Sequence, residues 1–416
     1  MNHLDLLYIP AAIVMAPLWA RKKRHGWHER FGKIATLPPR REGTRARLLL
    51  HAVSVGEANA LRHLVPLLTR EFDVVVSAST DTGLARARAL YEGACHVVRY
   101  PVDLSWCVAR FLNAVQPDAV GLVELEVWPN FVRACQGRGV PVAVINGRLS
   151  ERSFRGYRRI RAFIGPTFGR LTIAGVQDEA YAARFEAMGV ARERIRVTGS
   201  MKWDAATIAD EVPGAADLAR VLGIDRTKPL VVAGSTGPDD AGGEEALLHA
   251  ACPPGVQLLC APRKPERFDE AARAMPGCVR RSACSPERPA ASGAERFLLD
   301  SIGELRQAYS LADVVVVGRS FGALYGSDPI EPVALGKPTV IGPAVKDFLG
   351  VVETLERGNG IVRATRETLS GTLARLLSDA GKRREIAARG RASIRQEQGA
   401  SERTATLLGE LVEGCG

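Results

Sequence analysis

From residue 47 to about residue 200, short apolar runs alternate with stretches whose apolar residues recur at helical spacing. The runs read "RLLLHAV" from 47, "DVVVSAS" from 73, "HVVRYPV" from 96, "DAVGLVE" from 118, "VPVAVIN" from 140, "LTIAGVQ" from 171 and "RIRVTGS" from 194. Helical periodicity lies between them, at 82–92, 105–115, 128–138 and 178–188. Strands that are apolar throughout belong to a sheet covered on both faces, and strand–helix alternation makes that sheet parallel. The pattern lapses over 206–228. A second set then begins: "PLVVAGST" from 229, "VQLLCAP" from 256, "RFLLD" from 296, "ADVVVVG" from 312 and "KPTVIGP" from 337. Residues 369–396 carry an apolar stripe at helical spacing, so the chain is expected to close in helices.

This pattern predicts an α/β protein with two consecutive Rossmann-like, doubly wound domains facing across a cleft, the GT-B arrangement. The expected boundaries are 1–24 for an anchor and its basic flank, 25–205 for the first domain, 206–228 for a linker and 229–416 for the second domain. Ligands of such sheets sit at the carboxyl ends of the strands. Neither half has a GxGxxG after its first strand, and no GxxxxGK[ST] occurs, which removes the dinucleotide and P-loop readings.

Composition sharpens this in three places. At 416 residues, with 46% hydrophobic and 25% charged residues, the chain has the length of two ordinary globular domains. Its 8 cysteines are scattered singly with no CxxC, which fits a reducing cytosolic compartment and gives no zinc site. The net charge of +10 is concentrated near the start, where "RKKR" at 21–24 follows the apolar stretch 4–20. A signal peptide has the opposite order, so cleavage is not expected. The stretch reads as a membrane anchor or monotopic helix with the rest of the chain on the cytoplasmic side. The basic flank would hold anionic lipids, each Lys or Arg adding about 1 kcal/mol. A short buried helix and a basic nucleic-acid tail are the alternatives. Trp27 and Phe31 alone make no nucleic-acid motif, so no nucleic-acid partner is expected.

Several strand ends carry short motifs: "HAVSVGE" at 51, "VELEVWPN" at 123, "INGRLSERS" at 145, "TGSMKWD" at 198, "APRKPERF" at 261, "SIGEL" at 301 and "DPIEPVALGKP" at 328. In this order the chain resembles the 3-deoxy-D-manno-octulosonic acid (Kdo) transferases, which add Kdo from CMP-Kdo to a lipid A precursor. The resemblance implies an inverting, metal-independent glycosyltransferase of lipopolysaccharide biosynthesis, with CMP-Kdo as donor substrate and no cofactor. The alternative is another GT-B nucleotide-sugar enzyme acting on a membrane acceptor. A degenerate interaction protein would be expected to have lost Glu57, Lys202 and Glu331, and all three are present.

Glu57 reads either as a helix-start acid complementing the macrodipole or as the base that takes the acceptor's proton; the resemblance implies the base. Glu124 and Glu126, two apart in what reads as an extended segment, would point to one side, where like charges are costly unless shared. The competing reading is a helix start at Trp128-Pro129. The resemblance favours Glu126 as the functional acid, in transition-state electrostatics or acceptor binding. Lys202 is either solvated or an ammonium facing the leaving phosphate or the donor carboxylate, and the resemblance supports the second.

In the second half, the loop 234–240, with Ser235 and Thr236, is expected to offer backbone N–H groups to phosphate, and Arg263 a fork to phosphate or base. The resemblance implies that Arg263, Lys264, Ile302, Gly303, Glu304, Asp328, Pro329, Ile330 and Glu331 contact CMP, with Glu331 on the ribose. Two departures fall here. The family usually has His at Lys264, and Gly-Gly-His-Asn where Ser327 and Asp328 take the last two places. Asp328 adds repulsion near a phosphate, which Lys264 or Lys337 would offset. No DxD occurs, and no metal site is expected.

Overall fold

The computed structural model describes Asp5 and residues 26–38, 45–239 and 242–414. It divides into two compact units, one of residues 1–205 with 397–416, the other of 206–396.

The sheet of the first unit contains β1 (Arg47–Ala52), β2 (Asp73–Ala78), β3 (His96–Arg99), β4 (Ala119–Val123), β5 (Val142–Gly147), β6 (Ile173–Val176) and β7 (Ile195–Val197). All pairings are parallel, in the order β3-β2-β1-β4-β5-β6-β7. Successive residues of a strand point to opposite faces, and both faces here are covered. Leu49, Val75, Val120 and Val144 pack on one side with Phe111, Phe131, Phe168 and Phe185. Leu48, Leu50, Val76 and Ile145 pack on the other with Leu61, Leu64, Ala400, Leu407 and Leu408. This double burial is why the strands read as unbroken apolar runs.

The second unit repeats the plan with β8 (Leu230–Thr236), β9 (Gln257–Pro262), β10 (Val279–Arg280), β11 (Arg296–Leu298), β12 (Val314–Val317), β13 (Thr339–Ile341) and β14 (Val362–Arg363). Their order is β10-β11-β9-β8-β12-β13-β14, again parallel. The edge strands β10 and β14, of 2 residues each, were not expected. They are too short to carry a period.

Two expected boundaries are corrected. The proposed linker contains the helix Ala215–Leu222, which buries Leu218, Val221 and Leu222 within the second unit. The proposed second domain loses its end, because the helix Ala400–Glu413 packs on the sheet of the first unit. Asp204 fastens that return: its carboxylate accepts the Gly399 N–H at 2.7 Å and the Ser401 N–H at 2.6 Å.

Most of the expected anchor and flank, 1–24, lies outside the described residues. Asp5 is described and is buried in the first unit. Its carboxylate accepts from the Ser105 N–H (2.9 Å) and hydroxyl (2.5 Å) and from Asn130 Nδ2 (3.1 Å). Among the described residues no helix is long and apolar enough to cross a membrane.

Candidate active site

The strand order reverses direction between β1 and β4 in the first unit and between β8 and β12 in the second, whose edge also has β11 inserted between β10 and β9. Connections leave such a point in opposite directions and open a crevice at the carboxyl ends. The candidate residues of each unit sit on those ends.

In the first unit, β1 runs through Val53 and Ser54 into the short helix Val55–Ala60. Ser54 caps it, its hydroxyl accepting the Glu57 N–H at 3.4 Å and donating to Glu57 Oε1 at 3.0 Å. Glu57 Oε2 in turn accepts the Val53 N–H at 2.7 Å. This is close to a capping box, in which a side chain three residues into a helix reaches back to its start. Both readings of Glu57 therefore meet in one geometry, a helix-start acid held in a single orientation. Gly83 permits the close approach of the next loop, since a Cβ there would lie 2.6 Å from the Val53 carbonyl oxygen.

Burial pushes the Glu57 carboxyl up to about 7. The bond from Val53 opposes this, the charges of Glu124 and Glu126 add to it, and Ser54 opposes it again. Burial also raises Glu126, against the Trp128 indole N–H that donates to its Oε2 at 2.8 Å, with Glu124 raising it further. The three acids thus sense one another across the β1/β4 reversal. The expectation of an extended 124–126 segment is corrected: Glu124 has φ 59°, a left-handed turn held by its N–H on the Ile145 carbonyl at 3.0 Å. Such a conformation in a non-glycine residue costs about 1–3 kcal/mol and tends to be retained at functional sites.

Lys202 follows β7, half-buried between the buried side chains of Met201 and Trp203. The Met201 N–H donates at 3.1 Å to Oδ1 of Asn146, a fully buried residue just beyond Ile145 on β5. His51, stacked on Tyr100 with ring centroids 3.6 Å apart, is driven down to about 3 by burial and stays neutral. It is a core residue and offers no charge to the site.

In the second unit the loop after β8 differs from the expected phosphate cradle. Gly237 N–H donates to Glu244 Oε2 at 2.9 Å, and the Thr236 hydroxyl to buried Glu245 at 2.5 Å. Glu244 also accepts the N–H groups of Arg319 (2.5 Å), Ser320 (2.9 Å) and Phe321 (3.1 Å), which follow β12. One buried carboxylate therefore ties together the two loops that flank the reversal. Gly318 lets them touch, since a Cβ there would lie 2.6 Å from Thr236 Cα. Ser235, with φ 56°, bonds the hydroxyl of buried Tyr309. Burial, then the charges of Glu331 and Asp328, hold the Tyr309 hydroxyl far above its ordinary range, and Arg263 pulls it the other way. Ser235, Arg263, Asp328 and Glu331 are thus gathered around one tyrosine.

The remaining donor candidates divide. Glu331 pairs with Arg306 at 3.4 Å, and Asp328 accepts the Ile330 N–H at 2.9 Å at the start of the helix Ile330–Ala334, after Pro329. Ser327 is buried, its hydroxyl without a hydrogen-bond partner among the described residues. Ile302, 73% exposed, and Gly303 form an open loop, whereas Glu304 is held by Arg281 at 3.0 Å and Ser301 at 2.5 Å. Lys264 is exposed, as is Arg263, whose N–H donates to the Thr236 carbonyl at 3.1 Å. Lys337 is corrected: it precedes β13 at the amino edge of the sheet, among Arg226, Asp313 and Arg391, far from Asp328 along the strand direction. Sequence reasoning missed Glu244, Glu245, Tyr309, Arg306 and Asn146. The acid pair at 244–245 opens a helix, where acids are ordinary, and nothing local marks it as buried.

Similar architectures occur in a glycosyltransferase from Rickettsia africae (TM-score 0.60, 11% identity, 89% of this chain and 99% of that one) and in a putative UDP-N-acetylglucosamine 2-epimerase from Listeria monocytogenes (0.58, 13%, 89% and 98%). These likenesses establish the class, a GT-B-like fold of two parallel sheets. Residues 25–205 match the family model described as 3-Deoxy-D-manno-octulosonic-acid transferase (kdotransferase). The chain is 31% identical to the 3-deoxy-D-manno-octulosonic acid transferase of Bordetella pertussis, over 96% of both proteins. It is 29% identical to that of Haemophilus influenzae, over 99% of this chain and 96% of the relative. This chain belongs to the 3-deoxy-D-manno-octulosonic acid transferase family and is a glycosyltransferase.

Proposed function

We propose that this enzyme moves Kdo from CMP-Kdo to a lipid A precursor of the lipid IVA type, with inversion and without a metal, in lipopolysaccharide biosynthesis. The observation that carries the reading is Glu57: a single-orientation carboxylate at the strand-order reversal, raised to about 7. A base is most effective when its pKa lies near the working pH. Glu57 takes the proton of the acceptor hydroxyl as that oxygen bonds to the anomeric carbon of Kdo. The bond from that carbon to the CMP phosphate oxygen breaks, and CMP leaves with the electron pair. Lys202 offsets negative charge on the leaving phosphate or the donor carboxylate, and Glu126 orients the acceptor or supports charge developing on the sugar. CMP is held in the second unit by Arg263, Lys264, Ser235, Ile302–Glu304 and Asp328–Glu331, with Glu331 on the ribose hydroxyls.

The apolar stretch 4–20 and its basic flank support a location at the cytoplasmic face of the bacterial inner membrane, against anionic lipid and beside the acceptor. The test is incubation of the purified enzyme with CMP-Kdo and a tetraacylated lipid A precursor, followed by mass measurement of the product. A mass increase of one or more Kdo residues is expected. An unchanged acceptor mass sinks the proposal.

A further inference from the structure

The chain passes between the two units twice, after Ala205 and after Gln396. Both passages are fastened on the first unit at one place. Asp204 accepts the Gly399 and Ser401 N–H groups, Gln398 Nε2 donates to the Trp203 carbonyl at 3.2 Å, and Arg403 Nε donates to the Thr198 carbonyl at 2.8 Å. The loop 199–204 is thus bolted at its two ends, at Thr198 and at Trp203–Asp204, to the start of the helix Ala400–Glu413.

Lys202 sits at the middle of this loop. On one side Met201 is pinned through Asn146 Oδ1, and its side chain lies in the core cluster that includes Ala400, Leu407 and Leu408. On the other side Trp203 is buried, its carbonyl and the Asp204 carboxylate both engaged by the returning chain. A flexible four-carbon side chain is a poor electrostatic instrument unless its root is fixed.

We propose that Asp204 is a positioning residue for Lys202, and that the returning C-terminal helix is thereby part of the catalytic apparatus of the first unit. The proposal rests on the assignment of Lys202 to charge stabilisation. Asp204 itself touches no reacting group. Its two charge-assisted bonds to backbone N–H groups are of the stronger kind, and they fix the height and direction from which the ammonium is presented.

The test measures turnover with CMP-Kdo and the tetraacylated precursor for Asp204→Ala, Lys202→Ala and the double variant. Displacing a catalytic group by about 1 Å can cost about 10²-fold, so Asp204→Ala should lower kcat by up to about that factor. The KM for CMP-Kdo should change much less than kcat, because the proposed CMP contacts lie in the other unit and Lys202 acts on charge that grows in the transition state. In the Lys202→Ala background, Asp204→Ala should cost no more than about twofold, the scatter of uncoupled effects. Asp204→Asn, which keeps one accepting oxygen, should recover part of the loss. Gln398→Ala, a milder cut at the same clasp, should lower kcat less and should also lose its effect when Lys202 is absent.

If the losses from Asp204→Ala or Gln398→Ala multiply with that of Lys202→Ala, the clasp acts on stability or elsewhere, and the proposal is overturned. Normal turnover of Lys202→Ala would remove the assignment of Lys202 and this inference with it. Absence of turnover in the unmodified enzyme would instead sink the donor and acceptor assignment.

Discussion

The two sheets place a carboxylate at the same topological point and use it in opposite ways. At the β8/β12 reversal Glu244 is buried and accepts four backbone N–H groups. At the β1/β4 reversal Glu57 accepts one backbone N–H and one hydroxyl, and it faces the repulsion of Glu124 and Glu126. Burial raises both groups, yet only Glu244 has its lone pairs taken up by fixed donors. A saturated carboxylate is a fastener. A partly satisfied one, pushed toward protonation, is able to exchange a proton with a substrate. Topology marks where ligands bind in such sheets, and hydrogen-bond satisfaction separates a carboxylate that fastens from one left open to a substrate.

The largest expected effect follows from that difference. Glu57→Gln keeps the shape and the Val53 bond but removes the base, so transfer should fall by about 10²–10⁴-fold with CMP binding unchanged. Near-normal turnover would break the comparison. Glu244→Ala should do the converse. It strands four N–H groups, three of them buried, a buried one costing about 1–3 kcal/mol if left unsatisfied, and should lower the unfolding temperature of the second unit while sparing that of the first. A second unit that melts normally would show that Glu244 is not its fastener.

The pH dependence sharpens the contrast within the first unit. Turnover should rise with pH through about 7 as Glu57 ionises. Stability moves the other way: a carboxyl whose folded pKa exceeds its ordinary value of 4.5 stabilises the fold fully below that value, and this contribution is lost as pH rises through about 7. Glu57→Gln should therefore gain in thermal midpoint over the parent between these two pH values and hold a constant advantage above. Parallel melting curves across that window would contradict a raised Glu57.

Smaller effects are expected at the donor departures. Lys264 and Asp328 carry opposite charges at positions where the resemblance leads one to expect His and Asn. If they compensate, Lys264→Ala should weaken CMP-sugar binding by about 1–3 kcal/mol. The pair Lys264→His with Asp328→Asn should lose much less. Strict additivity in that double-mutant cycle would mean that the two do not communicate. Chelation with EDTA should change the rate least of all. A loss restored by magnesium or manganese would end the metal-free reading.

Much of the fold is legible in the chain because both faces of each sheet are buried, so that "DVVVSA" and "ADVVVV" cannot be mistaken for alternating strands. Candidate acids and bases are legible where they follow a strand end within a few residues, as Glu57, Glu126 and Lys202 do. Three features were hidden for separate physical reasons. The stripe Leu407, Leu408 and Leu411 states that the last helix must bury a face, but says nothing of which core receives it. Glu244 owes its role to N–H groups about 75 residues away. Glu124 adopts a left-handed turn that no local rule favours for a glutamate, and so the two-apart spacing from Glu126 misled.

The return of the last helix has a consequence for synthesis on the ribosome. The first unit is discontinuous in sequence: one face of its sheet, including Leu50 and Ile145, is covered by Ala400, Leu407, Leu408 and Leu411. When residue 205 leaves the ribosome, that face has only the partial cover of Leu61, Leu64 and Leu68. The whole of the second unit must be made first, a delay of about 10–40 s at about 5–20 residues per second. The second unit, contiguous over 206–396, can meanwhile complete its own core. The order of synthesis is thus inverted in folding: the half of the enzyme made first is finished last, and part of an apolar sheet face waits in water until the helix Ala400–Glu413 emerges to close it.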